Sequence, residues 1–280
     1  MRLTANQSHG DKAMSETRKA IFITGGGSGI GRAVAIHFAR AGWFVGLADI
    51  NGAGLAETAA LLPDGQSSTH GMDVTDRAQW RAALDAFAER TGGRLDVLFN
   101  NAGVGYGGHF PDLTPERADR MIAINFGGVM NGIYEALPLL KATPGSAIVN
   151  TCSAAGIYGA AGLSVYSATK FAVRGLTEAL DIEFADYGIK VRSIMPSFID
   201  TPLLNETVPG SNETSRQRVQ AAGLEFTPVE TVAQTVWNAI HSNKVHHVVG
   251  KTAKKLAFAA KWMPNKIRNM RRSMDNNSRD

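Results

Sequence analysis

Apolar and polar positions alternate on two length scales along this chain. Short runs rich in β-branched and aromatic residues, Ala20–Thr24, Phe44–Ala48, Ser68–Asp73, Leu95–Phe99, Ala147–Cys152, Lys190–Met195 and Val245–Val249, are separated by longer stretches of helical period. Such runs fit strands covered on both faces, and the stretches between them are long enough for crossover helices. The expectation is an α/β fold: a single-domain, doubly wound, Rossmann-like parallel sheet of about seven strands with helices on both faces. No Pro/Gly/Ser linker, internal repeat or composition break divides the strands. The pattern places one domain at residues 19–250, a polar leader at 1–18 and a basic extension at 251–280. Residues 197–226 stand outside the alternation just after a strand end, where ligands bind in such sheets, and read as a lid over a substrate.

The first strand runs directly into Thr24-Gly25-Gly26-Gly27-Ser28-Gly29-Ile30-Gly31, and a helical pattern follows from Arg32. Glycines permit positive φ and close backbone approach, so amide N–H groups and the positive helix end can face a pyrophosphate. Gly25, Gly27, Ser28, Gly29, Ile30 and Gly31 are therefore expected to bind a dinucleotide. Tight packing alone would also use glycine, but the position after the first strand of a βαβ unit favours phosphate binding. Asp49 ends the second strand, about twenty residues past this loop, where a carboxylate accepts hydrogen bonds from the adenosine ribose hydroxyls. It would repel a 2′-phosphate, and neither the loop nor positions 50 and 51 carry a Lys or Arg, so the expected cofactor is NAD and not NADP. The competing role for Asp49 is a helix cap before Asn51. Asp73 and Val74 after the third strand, and Asn101, Ala102 and Gly103 after the fourth, fall at the same carboxyl edge, where the adenine and ribose should lie.

Tyr166 and Lys170 sit four apart in a helical stretch running to about Tyr187 and so share one face. Ser153 precedes Tyr166 by thirteen residues, directly after a strand. The set TGGGSGIG at 24–31, NNAG at 100–103, Asn125 in MIAINF, Ser153 in NTCSAAG and YSATK at 166–170 resembles the short-chain dehydrogenase/reductases, and it spans most of Ala20–Pro202. The resemblance implies a catalytic tetrad of Asn125, Ser153, Tyr166 and Lys170, with Asn125 supporting a water relay to the lysine. A hydrogen bond inside a helix is the alternative role for Asn125. Tyr166 and Lys170 would also bind the cofactor. Pro196-Ser197-Phe198-Ile199-Asp200-Thr201-Pro202 resembles the family's Pro-Gly-x-x-x-Thr segment beside the nicotinamide, with Ser197 in place of the glycine; Pro196, Ile199 and Thr201 are the cofactor contacts it implies.

The chemistry can be argued from the side chains. A tyrosine titrating near 10 is a poor base at neutral pH, so something must stabilise its phenolate. A cationic Lys170 and the positive charge of an oxidised nicotinamide would do so, letting Tyr166 take an alcohol proton while Ser153 donates a hydrogen bond to the substrate oxygen. The expected reaction interconverts a secondary alcohol and a ketone. An NADPH-dependent carbonyl reductase and a non-catalytic dinucleotide sensor are the alternatives on the same fold. Ser153, Tyr166 and Tyr158 are expected to touch substrate. Tyr106, His109, Ala155 and Ile157 are further candidates for the pocket wall, and Leu203, Leu204 and Leu224 make an apolar lid, hence an apolar substrate.

Composition narrows the setting. Cys152 is the single cysteine, so no intramolecular disulfide forms and a reducing cytoplasm is expected. The seven histidines show no metal-ligand spacing, so no metal is expected. The net charge is +4, but residues 251–280 hold nine Lys or Arg against two Asp, leaving −3 for the rest. The basic character belongs to the extension, and no nucleic-acid partner is expected. Residues 254–274 interleave Leu256, Phe258, Trp262, Met263, Ile267 and Met270 with cations, a mixture suited to a membrane surface or an acidic partner, or else to packing on the chain's own domain or a second subunit. Resemblance to the family implies a homodimer or homotetramer built through long helices, including the one that carries Tyr166.

Overall fold

The computed structural model describes residues 18–205, 207 and 212–269. The leader except Arg18, residues 206 and 208–211 of the lid segment and residues 270–280 of the extension lie outside the described residues. Seven parallel strands, β1 (Ala20–Thr24), β2 (Phe44–Asp49), β3 (Ser67–Gly71), β4 (Val97–Asn100), β5 (Ala147–Thr151), β6 (Lys190–Pro196) and β7 (His246–Val249), form one sheet in the order β3-β2-β1-β4-β5-β6-β7. The helices between them are α1 (Gly29–Arg40), α2 (Gly52–Ala59), α3 (Arg77–Thr91), α4 (Pro115–Ile122), α5 (Gly128–Ala142), α6 (Ser164–Glu183), α7 (Ser215–Ala221) and α8 (Val229–Ile240), and α9 (Lys251–Trp262) follows the last strand. This is the doubly wound Rossmann-like sheet expected from the hydrophobic pattern.

Two apolar layers hold the sheet. On one face, Val34, Phe38, Val232 and Val236 from α1 and α8 pack on Ile21, Ile23, Val45 and Val149. On the other, α3, α5 and α6 bring Trp80, Phe87, Ile133, Leu140 and Val173 against Phe22, Leu98, Ile148 and Val191. Strands β1, β4 and β5 are buried along nearly their whole length, which is why their sequences read as apolar runs without alternation. Trp80 is wholly buried, and its indole N–H donates to Val74 O at 3.0 Å, so one side chain fills the layer and ties down the turn after β3. Trp80→Ala is expected to cost about 3–5 kcal/mol in urea unfolding, from lost burial and an unfilled cavity. A loss under about 1 kcal/mol would mean that the layer collapses freely around the gap.

Element ends differ from the sequence expectation where side chains capture backbone groups. The third strand stops at Gly71 because the Asp73 carboxylate accepts from Thr75 N at 2.9 Å and turns the chain. The fourth begins at Val97, since Leu95 N–H donates to Thr143 Oγ1 at 3.0 Å. The helix carrying Tyr166 ends at Glu183, followed by a 3-10 turn over Ala185–Tyr187 and by Gly188 at φ +70°. Within residues 197–226, α7 starts with a capping box, Thr214 Oγ1 accepting from Gln217 N and Gln217 Oε1 from Thr214 N.

The strand order reverses between β1 and β4, and both strands point their carboxyl ends into the same crevice. That is where a parallel sheet of this kind holds ligands.

Candidate active site

The glycine loop is built from both sides. Gly25 and Gly29 have φ of +67° and +51°, values that glycine alone adopts freely. A Cβ on Gly31 would lie 2.0 Å from Gly25 O, so α1 can start against the loop only without a side chain there. Asn101 clamps the loop from β4: its N–H donates to Thr24 Oγ1 at 2.9 Å and its Nδ2 to Thr24 O at 3.0 Å. Ser28 stands at the N-cap of α1, yet its hydroxyl caps nothing. The first-turn amides of α1 thus have no side-chain acceptor from the cap, and a helix start in that condition suits an anion.

A cavity of about 490 Å³ runs from this loop along the carboxyl edge of the sheet. Gly25, Ser28, Gly29, Ile30, Asp49, Asp73, Val74, Asn101, Ala102, Gly103, Tyr166, Lys170, Pro196, Ile199 and Thr201 all line it. Gly27 and Gly31 lie behind the lining. Gly27 N–H donates to Asp49 Oδ2 at 3.0 Å and Gly27 O accepts from Arg32 at 2.6 Å, while Gly31 serves the close approach of α1. Asp49 does not cap α2; that helix is capped by Asn51 Oδ1, which accepts from Gly54 N. The Asp49 carboxylate is instead held by Gly27 N and Asn51 N, each at 3.0 Å, with its outer side on the cavity. Arg32, the first cation after the loop, is committed to Glu57, Thr58 and Gly27 O.

At the other end, Ser153, Tyr158, Tyr166 and Lys170 meet. Cys152 explains how: it is buried, and its thiol donates to Lys170 O at 3.1 Å, drawing the 3-10 turn Ala154–Gly156 onto α6. Gly156 makes the contact possible, because a Cβ there would be 2.6 Å from Cys152 Sγ. Ser153, at the head of that turn, hydrogen bonds with the Tyr166 phenol. Lys170 is buried, donates from Nζ to Thr151 O at 2.9 Å, and stands 5.5 Å from the Tyr166 ring centre. Protein groups alone do not favour the phenolate. Burial pushes the Tyr166 phenol up to about 12, against the opposing hydrogen bond of Ser153, and burial pushes the Lys170 ammonium down to about 8. Burial also pushes the Cys152 thiol up, which makes it a packing group and not a nucleophile.

Asn125 lies apart from the cavity lining. It is wholly buried in a π-helical turn, Ala123–Gly127, between α4 and α5. Its Oδ1 accepts from Val104 N at 2.8 Å and its Nδ2 donates to Val104 O at 2.9 Å, so the amide acts like a strand partner for the backbone after Gly103. Its side chain is thus engaged in holding the loop that faces Lys170.

The segment 197–226 is more complex than its polar sequence implied. Phe198, Leu204 and Ser215 line the cavity, and Arg216 ties α7 to Asp200 at 2.7 Å and to Asn205 at 2.9 Å. Leu224 does not reach the cavity, and the side chain of Leu203 lies outside the described residues. Ala155 lines it, but Tyr106, His109 and Ile157 do not; Tyr106 lies under the Arg117 guanidinium, and Ile157 packs on the core. Ser197 fits where the family motif has glycine because Gly250, at φ +90°, leaves room opposite: a Cβ there would lie 2.9 Å from Ser197 Oγ and 2.6 Å from Thr227 Oγ1. Sequence reasoning missed Thr252 and Leu256 of α9, Arg120 and Ile124 as lining residues. The only signal for the first two was the apolar stripe of the extension. Among the described residues no group of His, Cys, Asp or Glu could hold a metal ion.

Comparison with known proteins places this geometry. A family model described as short chain dehydrogenase matches residues 19–212. The chain is 38% identical over 217 residues to a levodione reductase of Leifsonia aquatica, covering 76% of this chain and 81% of that protein. It is 37% identical over 235 residues to a cyclohexanol dehydrogenase of an Acinetobacter species, covering 81% and 90%. A short-chain dehydrogenase/reductase from Burkholderia phymatum, solved in complex with NAD, superposes with a TM-score of 0.77 at 29% identity, covering 91% of this chain and 95% of that one. With the glycine loop, the Ser–Tyr–Lys cluster and the sheet order all in place, the chain belongs to the short-chain dehydrogenase/reductase family.

Proposed function

We propose that the protein is an NAD-dependent oxidoreductase that interconverts a secondary alcohol and a ketone on an apolar substrate. The observation that carries this reading is the continuity of one cavity from the glycine loop and Asp49 to Ser153, Tyr166 and Lys170. A lining that reaches from the glycine loop to the phenol suits an extended dinucleotide with its reactive end beside Tyr166. The uncapped start of α1 takes the pyrophosphate, Asp49 the adenosine ribose, Lys170 the second ribose, and Ile199 and Thr201 the carboxamide end. NAD, when bound, supplies the hydride acceptor or donor and, in its oxidised form, a positive charge near the phenol. Ser153 orients the substrate oxygen by donating a hydrogen bond, and Tyr166 takes the alcohol proton in oxidation and returns it in reduction. Lys170 steadies the phenolate, and Asn125 positions the Gly103–Val104 backbone beneath that lysine. Tyr158, Leu163, Phe198, Leu204 and Leu256 give the substrate end its apolar walls, and Tyr158 stands with Ser153 and Tyr166 as a substrate contact.

The names of the levodione and cyclohexanol relatives fit a cyclic ketone or alcohol as the first compounds to try. A homodimer or homotetramer through α5 and α6 accounts for the outward Tyr134, Phe171 and Ile182, which are 62%, 42% and 80% exposed. A reducing cytoplasm suits the lone buried thiol.

The test is NADH formation with a panel of secondary alcohols, followed across pH. Oxidation needs the phenol deprotonated, so its kcat/KM is expected to rise with pH while reduction falls. Because oxidised NAD adds a positive charge that the protein groups alone do not supply, the ascending limb should lie well below the value of about 12 that those groups set. Lys170→Met should move that limb up by roughly a unit or more. A flat profile, or a limb unmoved by the substitution, refutes the assignment.

A further inference from the structure

Helix α9 has two unlike sides. Ala253 of α9 and Ile267 of the helical stretch after it are buried, Thr252 and Leu256 line the cavity, and α9 packs on β7 and on the 3-10 turn that Ser153 heads. The outer side carries Phe258, Trp262 and Met263, which are 62%, 64% and 39% exposed. Around them stand Lys254, Lys255, Lys261, Lys266 and Arg268, all exposed, with Lys251 at the helix start 3.8 Å from Glu225, and no acidic residue occurs between 251 and 269. Phe258 and Trp262 are one helical turn apart, with Lys251, Lys254, Lys255 and Lys261 on the same side. Lys261 Nζ lies 5.0 Å from the Trp262 ring centre, so cation and aromatic form one patch.

Chemistry selects among the surfaces that could cover it. Two like copies of α9 pairing face to face would set cations against cations, which disfavours a symmetric subunit contact. An anionic bilayer matches every component: the ammonium groups meet lipid phosphates, and Phe and Trp settle at the boundary between headgroups and acyl chains. Neither the charge nor two aromatics alone would hold a protein there; stable anchoring takes two such signals together. No helix among the described residues is long and apolar enough to cross a membrane, so the contact is peripheral.

We propose that the outer face of α9 seats the protein on anionic lipid bilayers, so that the cavity walled by Thr252 and Leu256 receives a membrane-partitioned alcohol or ketone. The substrate clause rests on the proposed hydride-transfer function; the docking clause does not. A lipophilic substrate would then pass from the bilayer to the cavity around a single helix.

The full chain is mixed with vesicles of phosphatidylcholine alone or of phosphatidylcholine with phosphatidylserine, and bound protein is separated by flotation. Binding is expected only with phosphatidylserine, and added salt should release it, since screening shortens the attraction. Replacing both aromatics (Phe258→Ala with Trp262→Ala), or reversing two charges (Lys254→Glu with Lys255→Glu), should weaken partition about tenfold or more. Both double variants should keep the wild-type NAD-linked turnover of a water-soluble secondary alcohol. With a long-chain secondary alcohol carried in the vesicles, the wild type should outpace both variants. Failure to float with phosphatidylserine, or equal flotation of the variants, overturns the docking. A variant that dissociates in sedimentation overturns it too, by making the face a subunit contact. If flotation holds but vesicle-borne alcohol is turned over equally by wild type and variants, the substrate clause falls. If no alcohol is turned over at all, the hydride-transfer reading fails while the flotation result stands by itself.

Discussion

Tyr166→Phe is expected to lower the rate of alcohol oxidation by about a hundred- to ten-thousandfold, the usual weight of a positioned acid–base group, while leaving NAD affinity nearly unchanged. The substitution removes one oxygen and little volume, and the backbone bond from Thr169 Oγ1 to Tyr166 O at 2.7 Å does not involve the phenol. Lys170 keeps its acceptor, Thr151 O, and the walls of the cavity stay in place. What is lost is the group that takes the proton and the partner of the Ser153 hydroxyl. The fall should therefore appear in kcat and kcat/KM together, as expected for an interaction made in the transition state. Steady-state NADH formation, with NAD binding measured separately by calorimetry, decides the matter. Turnover within about threefold of wild type would remove Tyr166 from the chemistry, and lost NAD binding would show that the phenol's main work is holding cofactor.

The parts of the site that were legible in the sequence are those whose spacing is local. Tyr166 and Lys170 share a helix face by period, and the glycine loop follows directly from β1, so neighbouring residues carry the geometry. The strands were legible for a similar reason: burial on both faces leaves continuous apolar runs, and only their ends shifted, where Asp73 and Thr143 captured backbone groups. Contacts made across the fold were not legible. Nothing near Asn125 in the chain shows that its amide would close on Val104, twenty-one positions earlier. Ser197 and Gly250, just past the carboxyl ends of β6 and β7, accommodate each other across more than fifty positions of sequence. The extension after Gly250 showed an apolar stripe, but period alone cannot say what a stripe covers; Leu256 faces the cavity, whereas Phe258 and Trp262 face outward.

Asp49→Ala is expected to weaken NAD binding roughly ten- to a hundredfold, since charge-assisted hydrogen bonds to the ribose hydroxyls are worth about 1.5–3 kcal/mol. The same change should improve NADP binding, because it removes a fixed negative charge from the place where the 2′-phosphate must sit. The carboxylate also holds Gly27 N and Asn51 N at 3.0 Å, so part of the loss could come from a loosened loop and not from the ribose. Asp49→Asn separates the two effects in part. It keeps one oxygen, able to accept from one of these two amides, and lacks the charge, so NADP should gain while NAD loses less than with alanine. Neither variant should bind NADP as tightly as NAD binds the wild type. The cation best placed to meet a phosphate near the loop, Arg32, is held by Glu57 Oε2 at 2.7 Å and by Thr58 Oγ1 at 2.9 Å, and removing Asp49 does not free it. Cofactor affinities of the three proteins test this directly. Equal weakening of NAD and NADP would reduce Asp49 to a prop for the loop, and a wild type preferring NADP would overturn the choice of cofactor itself.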